Sequence, residues 1–165
     1  TKGHDILIDI LSADRWRPRA VEVSFFGKGP WQQTLEALIE SRSLPNIKYR
    51  GHVSDIEGVW RAHHALILPS RHEGLPICVV EAMMAGRPCI VNPAGGSAEF
   101  LEDGRTGFVS GACTVEALDE ALERAWHARM ALPQMGAAAA AAIRNFVPAD
   151  PAGDFAAQLL TWASP

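Results

Sequence analysis

Glu73-Gly74-Leu75-Pro76-Ile77-Cys78-Val79-Val80-Glu81 sets two carboxylates around a Gly-Leu-Pro turn and an apolar run, and Ala82-Met83-Met84-Ala85-Gly86-Arg87-Pro88 follows. Glycine and proline ahead of the run mark a loop. Ile77 to Ala85 then reads as a helix, with Gly86 as its stop and Pro88 just beyond. Glu73 therefore sits in a loop that meets a helix N-terminus, and Glu81 lies about one turn inside that helix. Free N–H groups and a partial positive charge at such an end can hold a phosphate. A carboxylate beside it can accept hydrogen bonds from sugar hydroxyls. The pair suggests a site for a sugar joined to a phosphate.

Working outward, short apolar runs alternate with helical patterns. Gly3 to Ala13 has helical spacing through Ile6, Leu7, Ile10 and Leu11. Val21 to Phe26 reads as a buried strand ending at Gly27-Lys28-Gly29-Pro30, and Trp31 to Ser41 as a helix with Leu35, Leu38 and Ile39 on one face. Ile47 to Arg50 is a short strand. Ser54 is expected to cap a helix through Ala62, with Glu57 completing a capping box. Ala65 to Leu68 is a strand stopped by Pro69, and Pro88 to Val91 another after the helix from Ile77. Gly95-Gly96 makes a loop, Ser97 is expected to cap a short helix to Leu101, and Thr106 to Ser110 is a last strand. Thr114 caps a helix to about Arg129, Gln134 to Phe146 is an alanine-rich helix, and Asp154 to Trp162 a terminal one.

This alternation implies an α/β domain with a parallel sheet and helices on both faces. Ligands of such sheets bind at the strands' C-terminal ends. The loops at Gly27, Gly51, Ser70 and Asn92 all follow strands and are expected to line one edge. The reading divides the chain into a domain over residues 1–147 and a helical tail over 148–165.

Composition bounds the rest. The 165 residues suffice for one well-buried domain, and the net charge of −4 argues against a nucleic-acid partner. No apolar run approaches the length of a spanning helix. Cys78, Cys89 and Cys113 have no metal-ligand spacing and read as reduced thiols of a cytoplasmic protein. His63-His64 point apart on a helix end and have no partner at ligand spacing, so no metal is expected. Gly27-Lys28-Gly29-Pro30 is not Gly-x-Gly-x-x-Gly, which argues against a nicotinamide cofactor and for a tight turn near the cleft. His52 and His72 border the expected cleft, and Glu99 reads as a helix-start carboxylate.

The motifs together resemble a known family. Glu73-Gly-Leu-Pro-x4-Glu81-Ala-Met-x-Ala-Gly-x-Pro, Gly95-Gly96-x-x-Glu99 and Asp103-Gly104-x-x-Gly107 are similar to the C-terminal, donor-binding domain of the retaining glycosyltransferases of family 4 (glycosyl transferases group 1). Lys2-Gly3, Gly27-x-Gly29-Pro30, Gly51-His52-Val53 and Pro69-Ser70 agree in order and spacing. The resemblance runs from Lys2 to about Arg129. It implies one Rossmann-like half of a GT-B enzyme, with the active site between two such halves. It implies a nucleotide-diphosphate sugar as donor, retention at the anomeric carbon, and no cofactor or metal.

Carried over, Lys2 would contact the diphosphate and Glu73 the transferred sugar's hydroxyls, as the catalytic pair. N–H groups near Gly74, Leu75, Ile77 and Cys78 would hold sugar or phosphate. Glu81 would accept from the ribose diol, Val53 would touch the base through its backbone, and Gly27 would turn beside the donor. The family's first strand and an Arg precede the position of Lys2, and its acceptor-binding domain precedes both. The chain is therefore expected to be a piece of a longer protein, inactive alone, with any contact to the inner face of a membrane made through the other half. Trp162 either packs on this core or belongs to a terminal helix that crosses to that half. A sugar-nucleotide epimerase, a phosphorylase and a non-catalytic nucleotide-sugar binding module are the rival readings.

Overall fold

A computed structural model describes residues 1–163. Five parallel strands alternate with helices: α1 His4–Leu11, β1 Val23–Phe26, α2 Gln32–Ser41, β2 Ile47–Gly51, α3 Ile56–Ala62, β3 Leu66–Leu68, α4 Ile77–Met84, β4 Cys89–Val91, β5 Gly107–Val109, α5 Val115–His127, α6 Leu132–Phe146 and α7 Pro151–Ala163. Every strand pair is parallel, with Val23 beside Ile47, Leu66 beside Cys89, and Cys89 beside Gly107.

Alternation along the strands builds two cores, because successive side chains point to opposite faces. Ile67, Ile90 and Phe108 join α1, α2 and α5 on one face. Leu66, Leu68, Cys89, Val91 and Val109 join α4 and α6 on the other. The expected α/β, Rossmann-like architecture with helices on both faces is thus present. Both helix layers rest on full burial, with Leu7, Ile8 and Leu118 on one side and Val79, Met83 and Ile143 on the other.

The sheet is interrupted. β1 pairs with β2, and β3 with β4 and β5, but β1 and β3 do not pair with each other. A cleft of about 350 Å³ runs between them, lined by Ser24 and Phe26 from β1 and by Leu66 and Leu68 from β3. Ser24 Oγ and Trp60 Nε1, both at this cleft, are buried without a hydrogen-bond partner among the described residues. Two of the sequence-based caps are corrected. Asp55, not Ser54, caps α3: its Oδ1 accepts from Gly58 N at 2.8 Å. Ser97 does not open a helix to Leu101 but lies inside a 3₁₀ turn over Gly95–Ala98, its Oγ donating to Ala94 O at 2.6 Å. Thr114 caps α5 as expected, accepting from Ala117 N at 3.2 Å.

Residues 151–162 of α7 are all exposed, and Trp162, at 74% exposure, does not pack on this core. No described helix is long and apolar enough to cross a membrane.

Candidate functional site

The parallel strands deliver their C-terminal loops to one edge. There Lys2, just ahead of α1, reaches across the β3 loop to Glu73, with Nζ 2.7 Å from Oε1. Ser70 Oγ donates to the same oxygen at 2.6 Å. The other carboxylate oxygen, Oε2, carries neither bond. Glu73's side chain is only 8% exposed, against 55% for Lys2. Burial works to raise the Glu73 pKa, but the bonds from Lys2 and Ser70 outweigh it and hold the carboxyl below its ordinary value. Glu73 is therefore an anion at neutral pH despite its burial.

Local backbone bonds explain why Lys2 arrives there. Arg71 N donates to Thr1 O at 2.9 Å, and the Arg71 guanidinium grips both oxygens of Asp5 at 2.9 and 2.6 Å. A two-point grip of this kind fixes direction as well as distance. It ties the first turn of α1 to the loop that carries Glu73. Behind that loop, Gly95 has φ of +53°, and a side chain there would overlap the Glu73 carbonyl oxygen. Gly96 N donates to Gly74 O at 2.7 Å. The Gly95-Gly96 turn thus supports the Glu73-Gly74 backbone from below.

α4 begins next to this carboxylate. Pro76 occupies its N-cap position and supplies no side-chain cap, and Leu75 and Ile77 are exposed at 56% and 70%. First-turn N–H groups without a side-chain cap are suited to an anion. Cys78 and Glu81, one turn apart on α4, face the cleft between β1 and β3, as do Lys2 and Val53. Glu81 is exposed. Cys78 is half-buried; burial first, and Glu73's charge second, push its thiol up.

The sequence-predicted residues are thus partly gathered. Lys2, Val53, Cys78 and Glu81 line one cleft, and Glu73 is joined to it through Lys2. Gly74, Leu75 and Ile77 stand at the start of α4 outside its walls. Gly27 ends β1 on the same edge, its N–H donating to Gly51 O at 2.7 Å, and does not line the cleft. His52, His72 and Lys28 are exposed and do not line it either.

Three contributors escaped the sequence reading. Ser70 has a local signal, a hydroxyl three residues before a carboxylate. His4 lines the cleft, with its ring 4.6 Å from that of Phe25 and its pKa lowered chiefly by burial. The Arg71–Asp5 grip, 66 residues apart in sequence, has no local signal. Among the described residues, no group of three or more His, Cys, Asp or Glu is placed to hold a metal ion.

A family model described as glycosyl transferases group 1 matches residues 1–128. The chain belongs to this family. It is 30% identical over 126 residues to an alpha-D-kanosaminyltransferase of Streptomyces kanamyceticus, covering 74% of this chain and 33% of that protein. It is 31% identical over 149 residues to a GDP-mannose-dependent alpha-(1-6)-phosphatidylinositol monomannoside mannosyltransferase of Mycobacterium tuberculosis, covering 83% and 38%. The chain thus spans about a third of the length of such curated relatives. Among solved structures, Anabaena Alr3699/HepE in complex with UDP-glucose superposes with a TM-score of 0.82 at 24% identity, over 97% of this chain and 45% of that one. S. aureus TarM superposes at 0.86 with 20% identity, over 99% and 33%. At these identities the two structures speak for the fold, and that fold is one half of the GT-B arrangement.

Proposed function

We propose that this chain is the donor-binding, C-terminal domain of a retaining glycosyltransferase, moving a sugar from a nucleotide-diphosphate sugar to an acceptor. One observation carries the reading. Lys2 and Ser70 both bond Oε1 of a half-buried Glu73, beside the start of α4, which no side chain caps, and the cleft that Glu81 lines. In this reading Glu73 Oε2 accepts from the transferred sugar's hydroxyls. Lys2 and the N–H groups near Leu75, Ile77 and Cys78 meet the diphosphate. Glu81 accepts from the ribose diol, and Val53 borders the base.

Departure of the diphosphate leaves negative charge on its oxygens. Donors already aimed at that position lower the barrier without reorganising, each by about 2–4 kcal/mol. A cation and a helix end do this here with no metal in the scheme. The domain comprises residues 1–147, and the tail that follows it carries α7. Acceptor binding falls to a second domain of the same polypeptide, which also makes any contact with the inner face of a membrane from the cytoplasm. An attached second Rossmann-like domain in the intact gene product would favour this enzyme over a non-catalytic binding module.

Titration against UDP-, GDP- and ADP-sugars by calorimetry or NMR tests the reading, with Glu81→Ala alongside. Saturable binding of one nucleotide sugar is expected. The variant should bind it roughly 10–100-fold more weakly, the worth of hydrogen bonds to a charged group. Wild-type affinity in Glu81→Ala would remove the ribose contact. Failure of a well-folded chain to bind any of the three would count against the donor site.

A further inference from the structure

Asn92 follows β4, is fully buried, and is tied to the ends of two other strands. Its Nδ2 donates to Pro69 O at 2.9 Å and reaches Ser70 O at 3.3 Å, both just past β3. Its Oδ1 accepts from Ser110 Oγ at 2.8 Å, just past β5, and that hydroxyl also lies 2.8 Å from Ala112 O. Its backbone N–H donates to Leu68 O at 3.2 Å. The partners fix the amide's orientation. Carbonyl oxygens only accept, so the NH₂ must face Pro69 and Ser70, and the hydroxyl donor must meet Oδ1. Ser70, itself 1% exposed, then offers its hydroxyl to Glu73 Oε1 at 2.6 Å. A continuous buried line runs Ser110–Asn92–Ser70–Glu73.

We propose that Asn92 is a positioning residue: by holding the Ser70 backbone from inside the fold, it sets the Ser70 hydroxyl and so the direction in which the Glu73 carboxylate points. Its consequence for sugar binding rests on the donor reading above. The chemistry demands this residue type. Two acceptors on one side and a donor on the other require a planar group with an NH₂ and a carbonyl. Aspartate would set lone pairs against two carbonyl oxygens, and alanine would orphan the Pro69 and Ser70 carbonyls in a site closed to water. The titratable groups that face Glu73 are Lys2, ahead of α1, and Cys78, on α4.

The test reads the Glu73 carboxyl directly, by ¹³C NMR titration of wild type, Ser70→Ala, Asn92→Ala and the milder Asn92→Ser. Ser70→Ala removes a donor and should raise the Glu73 midpoint. The Asn92 variants should raise it in the same direction and by no more. Ile143→Val, at a buried α6 position, should lose stability and leave Glu73 unmoved, which separates positioning from general destabilisation. A folded Asn92 variant with the wild-type Glu73 midpoint would overturn the proposal. With UDP-glucose and UDP as probes, Asn92→Ala should weaken the first by about three- to tenfold and leave the second unchanged. Equal loss for both would overturn it. If the wild-type chain binds neither probe, the donor reading loses support, and the Glu73 titration decides the role of Asn92 alone.

Discussion

Gly95→Ala offers a quantitative check on how the Glu73 loop is held. Gly95 has φ of +53°, and a β-carbon built on it overlaps the Glu73 carbonyl oxygen and falls 2.9 Å from Gly74 O. Two costs follow. The left-handed conformation is worth about 1–2 kcal/mol against a residue with a side chain. Relieving an overlap with backbone in a packed region adds about 1–3 kcal/mol. Gly104 separates them, because it has φ of +77° and a β-carbon added there would meet nothing within 4 Å. Gly104→Ala should therefore cost only the first term, and Gly95→Ala about 3 kcal/mol in all. With a urea slope of about 2 kcal/mol/M, the Gly95 variant should unfold at a midpoint about 1.5 M below wild type. The Gly104 variant should fall by about half that. The Glu73 backbone, not the φ angle, makes the difference. Equal midpoints for the two variants would refute a close approach of the Gly-Gly turn to the Glu73 loop.

Acid stability and thiol chemistry give two further checks. Glu73 has a folded-state pKa below its ordinary value near 4.5, so its contribution is complete above that value and is lost as pH falls through the lower folded-state value. Asp5, paired with Arg71, and Asp103, half-exposed beside Arg124 and the Val109 N–H, act with the same sign. Glu73→Gln should therefore flatten the fall in urea midpoint between neutral and acid pH; an unchanged slope would show that the Lys2 and Ser70 bonds do not favour the ionised form. Burial pushes the Cys89 thiol far up, and Cys78 is raised less. Iodoacetamide at neutral pH should spare Cys89 until the chain unfolds, and mass spectrometry showing native labelling at the rate of Cys78 would contradict the burial of β4.

Much of this architecture was legible because its signals are local. β3 and β4 are only three residues long, yet each is an unbroken apolar run stopped by a turn, and each was placed within one or two residues. The Glu73-to-Glu81 spacing was legible for the same reason: loop, proline and helix start lie within nine residues. Where two candidates stood side by side, the pattern could not choose. Ser54 and Asp55 both suit an N-cap, and only the fold shows the Asp55 carboxylate meeting the Gly58 N–H. Ser97 had the composition of a cap, but Gly95 in the left-handed region starts a tighter turn and points the hydroxyl back at Ala94 O.

What stayed hidden is what acts between strands. Lys2 meets Glu73 across 71 residues, Arg71 meets Asp5 across 66, and Asn92 meets Pro69 and Ser110 across 23 and 18. A parallel sheet produces these separations of necessity, because each strand must cross back through a helix before its next loop returns to the same edge. Sequence can name the loops that will share that edge, as it did for those at Gly27, Gly51, Ser70 and Asn92. It cannot say which oxygen of Glu73 takes both of these bonds. That choice is made by a lysine ahead of the first helix and a serine just past β3, which both bond Oε1 and leave Oε2 with neither bond.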